Sequence, residues 1–375
     1  MNQKHMILSG QLFCLFFVSH LIQTITNSPG LHTRDNMQNI ILGAPIALAA
    51  TVLATTPMLV LNHRHPQLNV LDLTYYRLGK YAGVVVGALY AVFFLYAPSL
   101  AVARYNLYIQ TTMLPQASVI LLSVAVVFTA CYGAFMGIEA LARASGLIFA
   151  AVLVSLVFIF AALTPELDSR NFAPFGQDGI GAVLEEAATI VSGLLEIATL
   201  AIVLPFAKRK HVKRNFFLWA LAETVTIALV AFFVVGVLGT YTEMQMYPFY
   251  TISTIARVGS LQRLDALYAA IWTAGLFVKV AFFLIALSLC LTRIKNERAG
   301  RVGLVVGAAV ILAASVLLTD RPEYISFLAT RETSLLLAAV FFLCIPLLVL
   351  VVDLIRGRKD PRLSAAQRKS DANGA

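Results

Sequence analysis

Charged and polar residues cluster along this chain, and between the clusters run apolar stretches of about twenty residues or more, the length that crosses a bilayer as a helix. Ten such stretches stand out: 6–26, 38–61, 82–113, 117–136, 144–163, 187–207, 215–240, 264–292, 302–318 and 334–355. The third is long enough to cross at a tilt. Most connections are short, but 164–186 and 241–262 have room for interfacial helices. The pattern predicts an all-α polytopic membrane protein with a ten-helix transmembrane domain over 1–355 and a basic, disordered tail over 356–375. The first apolar run has no small-residue cleavage site, so it reads as a retained span and not as a cleaved signal peptide.

Composition agrees with the pattern. Of 375 residues, 59% are hydrophobic and 13% charged, and the mean hydropathy is +0.83, which excludes a soluble domain of this length. The net charge of +9 invites a nucleic-acid partner, but the basic residues lie in the connections between spans. With the N-terminus in the cytoplasm, twenty of the 28 Lys and Arg fall on the inner side and six on the outer, which places both termini in the cytoplasm. The basic run 208–214, KRKHVKR, suggests nucleic acid or anionic lipid when read alone; between two spans it reads as a topological signal. The His63-Arg64-His65 run reads as a basic loop. Cys14, Cys131, Cys290 and Cys344 are far apart and form no metal or disulfide pattern. No Ser/His/Asp set and no Gly-rich phosphate loop is present, so the sequence points to neither an enzyme nor a cofactor.

The informative residues are the polar ones inside spans. Asp265, Tyr268, Trp272 and Lys279 share one stripe of the eighth span. Asp265 and Lys279 are ~21 Å apart along the axis at ~1.5 Å per residue, too far to pair. The next basic residue, Arg293, is fourteen positions on, so Lys279 is too deep to snorkel and is expected to face protein or a water-filled cavity. Ser19, His20 and Gln23 interrupt the first span, and Ser192, Gly193 and Glu196 the sixth. Ten spans read as five plus five, 6–163 and 187–355, with the second half inverted. Broken helices at corresponding places in two halves are where such transporters bind ligand, because half-helix ends expose partial charges. That chemistry suits a zwitterion such as an amino acid. Glu196 requires a partner, and Lys279 and His20 are the candidates. Arg104 in the third span is placed either to anchor a carboxylate or to pair with an outer acid such as Asp265. Glu223 reads as structural, as does the i,i+4 pair Glu139–Arg143.

A series of short pieces runs in order along nearly the whole chain, beginning with Ser9-Gly10-Gln11-Leu12, Ala103-Arg104, Leu114-Pro115, Gly137-Ile138-Glu139 with Arg143, and Thr164-Pro165-Glu166-Leu167. Asn171, Pro174, Gly193-x-x-Glu196, Leu204-Pro205-Phe206, Tyr247-Pro248, and Arg263-Leu264-Asp265-Ala266 with Trp272 and Lys279 follow. In that order they resemble the spore germination permease family, the GerAB-like B subunit of nutrient germinant receptors in the amino acid–polyamine–organocation superfamily. The resemblance implies a LeuT-like bundle in the spore inner membrane, with A and C receptor subunits as partners. It implies a nutrient such as an amino acid as ligand, with membrane lipid as surroundings and no nucleic acid. The polar interruptions and the stripe make Ser19, His20, Gln23, Ser192, Gly193, Glu196 and Trp272 the candidate ligand residues of such a protein, and Lys279, Arg104 and Asp265 the candidate ion-site or gating residues. In LeuT-like folds the first and eighth helices flank a cation site, so the Lys279 ammonium would stand in for an ion. Relatives often carry an acid followed two positions later by Gly in the first span; His20 and Ile22 stand there in this chain, and a β-branched Ile disfavours a backbone break. A proton-coupled amino acid permease is the other reading of the same fold.

Overall fold

A computed structural model describes residues 7–26, 37–173, 176, 178–208, 211–258, 261, 262 and 264–357. Most of the tail expected over 356–375 lies outside the described residues, as do Arg263 and Pro174. Apart from one short hairpin (257–258 with 261–262), the described regular structure is helical. The helices are α1 (Ser9–Thr26), α2 (Gln38–Arg64), α3 (Val70–Leu78), α4 (Lys80–Thr112), α5 (Val119–Phe135), α6 (Gly137–Leu163), α7 (Gly179–Gly193) and α8 (Ile197–Val203). They continue with α9 (Val212–Leu238), α10 (Pro248–Ile255), α11 (Asp265–Ile294), α12 (Glu297–Thr319), α13 (Pro322–Leu328), α14 (Arg331–Ala338) and α15 (Ile345–Arg356).

Eight described segments are long and apolar enough to cross a membrane. The other two predicted spans, the first and the fourth, correspond to shorter apolar helices, α1 and α5. The long connection 164–186 holds two 3-10 turns and the start of α7, and 241–262 holds α10 and the hairpin. The short helices α3 and α13 were not legible as separate elements. α3 is set by a capping box in which Asn69 and Asp72 each bond the other's backbone N–H. α13 begins on Pro322, whose missing N–H costs nothing at a helix start. Between α14 and α15 the chain widens into a π-helical segment, Ala339–Cys344, just before Pro346. A proline here has no N–H for the preceding turn, and the widened turn relieves its ring from the carbonyl behind it.

α11 runs through the centre, packed on α1, α4, α5, α6, α8 and α12. Its side chains from Val278 to Leu287 are almost wholly buried. α1 approaches it at Gly275, where an added Cβ would meet the Val18 carbonyl oxygen at 3.0 Å. That close approach sets the register between α1 and α11.

The tenth predicted span is locked at one face by a buried ionic cluster that sequence reading missed. Asp353 Oδ2 accepts from Arg64 Nε at 2.7 Å, and Oδ1 accepts from Arg77 Nη2 at 2.6 Å. His65 Nε2 also reaches Oδ1, at 2.9 Å. Arg77 bonds the Gly357 carbonyl at 2.7 Å, and Arg356 returns a bond to the Arg77 carbonyl. The expected basic loop at 63–65 is thus partly buried, because α15 delivers a carboxylate to it.

Removing that carboxylate strands a fully buried guanidinium. Asp353→Ala is expected to destabilise the protein by about 3 kcal/mol, whereas Arg77→Met with Asp353→Leu loses less. Thermal unfolding of the purified variants checks this; equal losses would show that the charges are not coupled. Burial also pushes the His65 pKa below its usual 6.5, although Asp353 opposes the shift. The unfolded chain then binds the proton more readily, so this group's contribution to stability falls as pH drops below 6.5. His65→Gln is expected to flatten the dependence of melting temperature on pH in that window.

Candidate functional site

The sixth predicted span is broken, and the break builds the site. α7 ends at Gly193, and the helical bonds contract to i→i−3 steps: Leu194 N to Val191 O at 3.2 Å, Ile197 N to Leu194 O at 3.0 Å, Thr199 N to Glu196 O at 2.9 Å. The polar side chains help. Ser192 Oγ bonds the Thr189 carbonyl at 2.7 Å, and Thr199 Oγ1 bonds the Glu196 carbonyl at 2.6 Å. Side chains that satisfy local carbonyls give the backbone an alternative to the regular helix. α8 then carries the chain on, wholly buried from Ile197 to Val203.

Glu196 sits in that break with no exposed surface. Both partner candidates meet it. The Lys279 ammonium contacts Oε1, and His20 Nδ1 lies 3.2 Å from Oε2. With the carboxylate ionised, His20 donates from Nδ1. Lys279 and His20 are themselves 3% and 1% exposed, so the set is sealed from bulk water. With a neutral imidazole it carries no net charge, the condition under which such groups persist at membrane depth. The three residues come from α1, the α7–α8 break and α11, and the contact ties these elements together.

On one side of Lys279 lies a cavity of about 40 Å³. Arg104, Thr189, Ser192, Gly193, Lys279 and Ser334 supply its polar lining, so five of the ten predicted site residues surround this centre or its cavity when Glu196 is included. His20 is a sixth, through Glu196. At ~10–15 Å³ per water, the cavity holds a few waters and no amino acid. Two cationic side chains line it and no carboxylate does.

Trp272 is placed elsewhere. It lies two turns toward the start of α11, stacked on Tyr108 with centroids 4.0 Å apart and planes at 23°. Tyr105, Tyr247 and Tyr268 close around it edge-on. Asp265, at the first turn of α11, is buried on the far side of these rings from Lys279. Ser19 Oγ and Trp272 Nε1 are buried polar atoms without a hydrogen-bond partner among the described residues. The Gln23 side chain lies outside the described residues. α1 is one continuous helix from Ser9 to Thr26, so the interruption expected at Ser19–Gln23 is absent over that range. Ile22, packed against Gly275, is consistent with that. Glu139 and Arg143 do pair, at an exposed start of α6. Glu223 is buried within α9. Tyr268 shares the predicted stripe with Trp272, but Tyr105 and Tyr108 of α4 and Tyr247 at the entry to α10 were missed, because they lie on other apolar elements and none stands out by spacing.

A sequence profile of the family described as "Spore germination protein" matches residues 6–323. The chain is similar to "Spore germination protein KB" of Bacillus subtilis (strain 168), 23% identical over 378 residues that cover 98% of this chain and 100% of that protein. Its fold is similar to that of a Na+-coupled sialic acid symporter solved in a substrate-bound outward-open state. That match has a TM-score of 0.65 and 12% identity over 91% of this chain and 80% of the other. At that identity the likeness speaks for the fold alone.

The buried ion pair is testable without knowing a ligand. Lys279→Met and Glu196→Gln are each expected to lower the melting temperature, and the double variant is expected to recover much of the loss, with a coupling energy of about 2 kcal/mol or more. Additive losses would show that the two groups do not depend on each other.

Proposed function

The chain belongs to the Spore germination protein family, which is transporter-like and not a family of enzymes, and from that membership we propose that it is the nutrient-sensing B subunit of a germinant receptor. It binds a small molecule, an amino acid in the first instance, at the α7–α8 break and signals by rearranging around it. The observation that carries this reading is the sealed His20–Glu196–Lys279 set beside the Arg104 cavity. A neutral but fully ionised contact has two stable arrangements, paired with itself or paired with a ligand. The ligand's carboxylate faces Arg104 and Lys279, and its ammonium is received by backbone carbonyls freed at the end of α7. Ser19, Ser192 and Gly193 line the approach. Trp272 and its tyrosines close the site from the Asp265 side, and Lys279 occupies the place of a bound cation.

The A and C receptor subunits are the partners in this reading, and the spore inner membrane is the location, with both termini in the cytoplasm. The ten helices form two inverted repeats, 6–163 and 187–355, on the LeuT plan. The cavity is too small for the ligand as it stands. In this reading the cavity opens when Glu196 exchanges partners. A proton-coupled amino acid permease remains the second reading, favoured by a buried set of titratable groups that includes His20.

Solute counterflow in proteoliposomes separates the two. A pool of labelled amino acids is offered to the purified chain with and without a pH gradient. The receptor reading expects no exchange above protein-free vesicles, and binding only with the partner subunits present. Exchange that responds to the gradient would establish the permease.

A further inference from the structure

The end of α2 and the start of α9 enclose a second, larger cavity of about 460 Å³, whose lining shares no residue with the cavity above. Leu59, Asn62 and His63 form one wall, and His211, Val212, Lys213 and Arg214 the other. The volume lies within the ~300–1,000 Å³ common for small-molecule sites. Its lining contains two histidines, a lysine and an arginine, all exposed, and no acidic residue. Asp353, which meets Arg64 and His65 next to His63 in the chain, is committed to them and to Arg77. Nothing that lines the cavity offsets its charge.

The same face of α9 continues from Lys213 and Arg214 in steps of four to Phe217, Leu218, Leu221 and Val225. These are 48%, 45%, 38% and 48% exposed, and they lie within a segment apolar and long enough to cross a membrane. A basic cavity thus opens directly onto an apolar strip. A water-soluble anion makes use of the first and not of the second. A molecule with a phosphate head and acyl chains uses both.

We propose that this cavity binds the headgroup of an anionic phospholipid. Lys213 and Arg214 hold the phosphate, Asn62 and His63 face the polar part of the head, and the chains lie along the α9 strip. Basic pockets between membrane helices favour such heads because each nearby Lys or Arg adds attraction to the anionic charge.

Native mass spectrometry of the full-length chain in detergent tests this, using phosphatidylglycerol and phosphatidylcholine with the same acyl chains. The chain is expected to retain phosphatidylglycerol in preference. Lys213→Gln with Arg214→Gln is expected to weaken that retention by about 30-fold, from two charges near the headgroup. Lys295→Gln with Arg298→Gln removes the same charge from an exposed turn elsewhere and is expected to change retention less than threefold. Thermal unfolding identifies any variant that is not folded, and Lys213→Arg, which keeps the charge, is expected to retain the lipid. Equal loss in both double variants would reduce the effect to net charge and overturn the pocket. Absence of a preference for phosphatidylglycerol would overturn it too. Displacement of the lipid by millimolar inorganic phosphate would show a free-phosphate site and overturn the lipid assignment.

Discussion

One carboxylate governs the middle of this molecule. Glu196 is buried at membrane depth, where a lone charge is costly, and it is held by an ammonium on one oxygen and an imidazole on the other. Each partner reaches it only because of a backbone feature. Glu196 is presented by the break after Gly193. His20 is presented because α1 lies against α11 at Gly275. Lys279 is presented because α11 runs through the centre and not along its edge. Without the contact, three helices would each carry an unpaired polar group into the core.

The break and the ion pair support each other. A helix interrupted in a bilayer leaves backbone groups unsatisfied, and this is tolerated only where protein or a water-lined cavity receives them. Ser192 and Thr199 take up two carbonyls, and a small polar cavity borders the rest. α1 shows the contrast. Its polar residues do not break it: His20 already has Glu196, and Ile22 lacks the backbone freedom that a glycine would bring to a break. Polar side chains in a span are therefore a sign of a site, but not by themselves a sign of a broken helix.

Much of this was legible in the sequence. The long apolar stretches, the depth of Lys279 and its separation from Asp265, and the pairing choices for Glu196 all follow from spacing and hydropathy. The family resemblance agrees with the profile match over residues 6–323. Less legible were features made by contacts between distant helices. Arg77 counted as a loop cation and Asp353 vanished inside an apolar run, yet 276 residues apart they form a buried pair. Of the tyrosines around Trp272, Tyr268 shares its stripe on α11, but Tyr105 and Tyr108 come from α4 and Tyr247 from the entry to α10, and no local pattern groups those three with it. Periodicity reports which face of one helix is polar; it does not report which other face it meets.

Three centres, one aromatic and two charged, are strung along one element. α11 begins at the Trp272 aromatic cluster, carries Lys279 in its middle, and near its end presents Arg293 to Asp72 of α3 at 2.5 Å, with Tyr75 and Tyr76 under the guanidinium. α3 also carries Arg77, which grips Asp353 and so the last helix. At ~1.5 Å per residue, the thirty residues of α11 span ~45 Å, the full depth of a bilayer. Packed cores respond to a local change by switching between arrangements and not by bending continuously. In the proposed reading, a ligand that takes Lys279 from Glu196 acts on a rod fastened toward one end by the Trp272 aromatic cluster and toward the other by Asp72 of α3. That requirement is common to a receptor and a permease. What differs is whether both ends move in turn, as in a permease, or one stays fixed while the displacement is passed to another subunit, as in the proposed receptor.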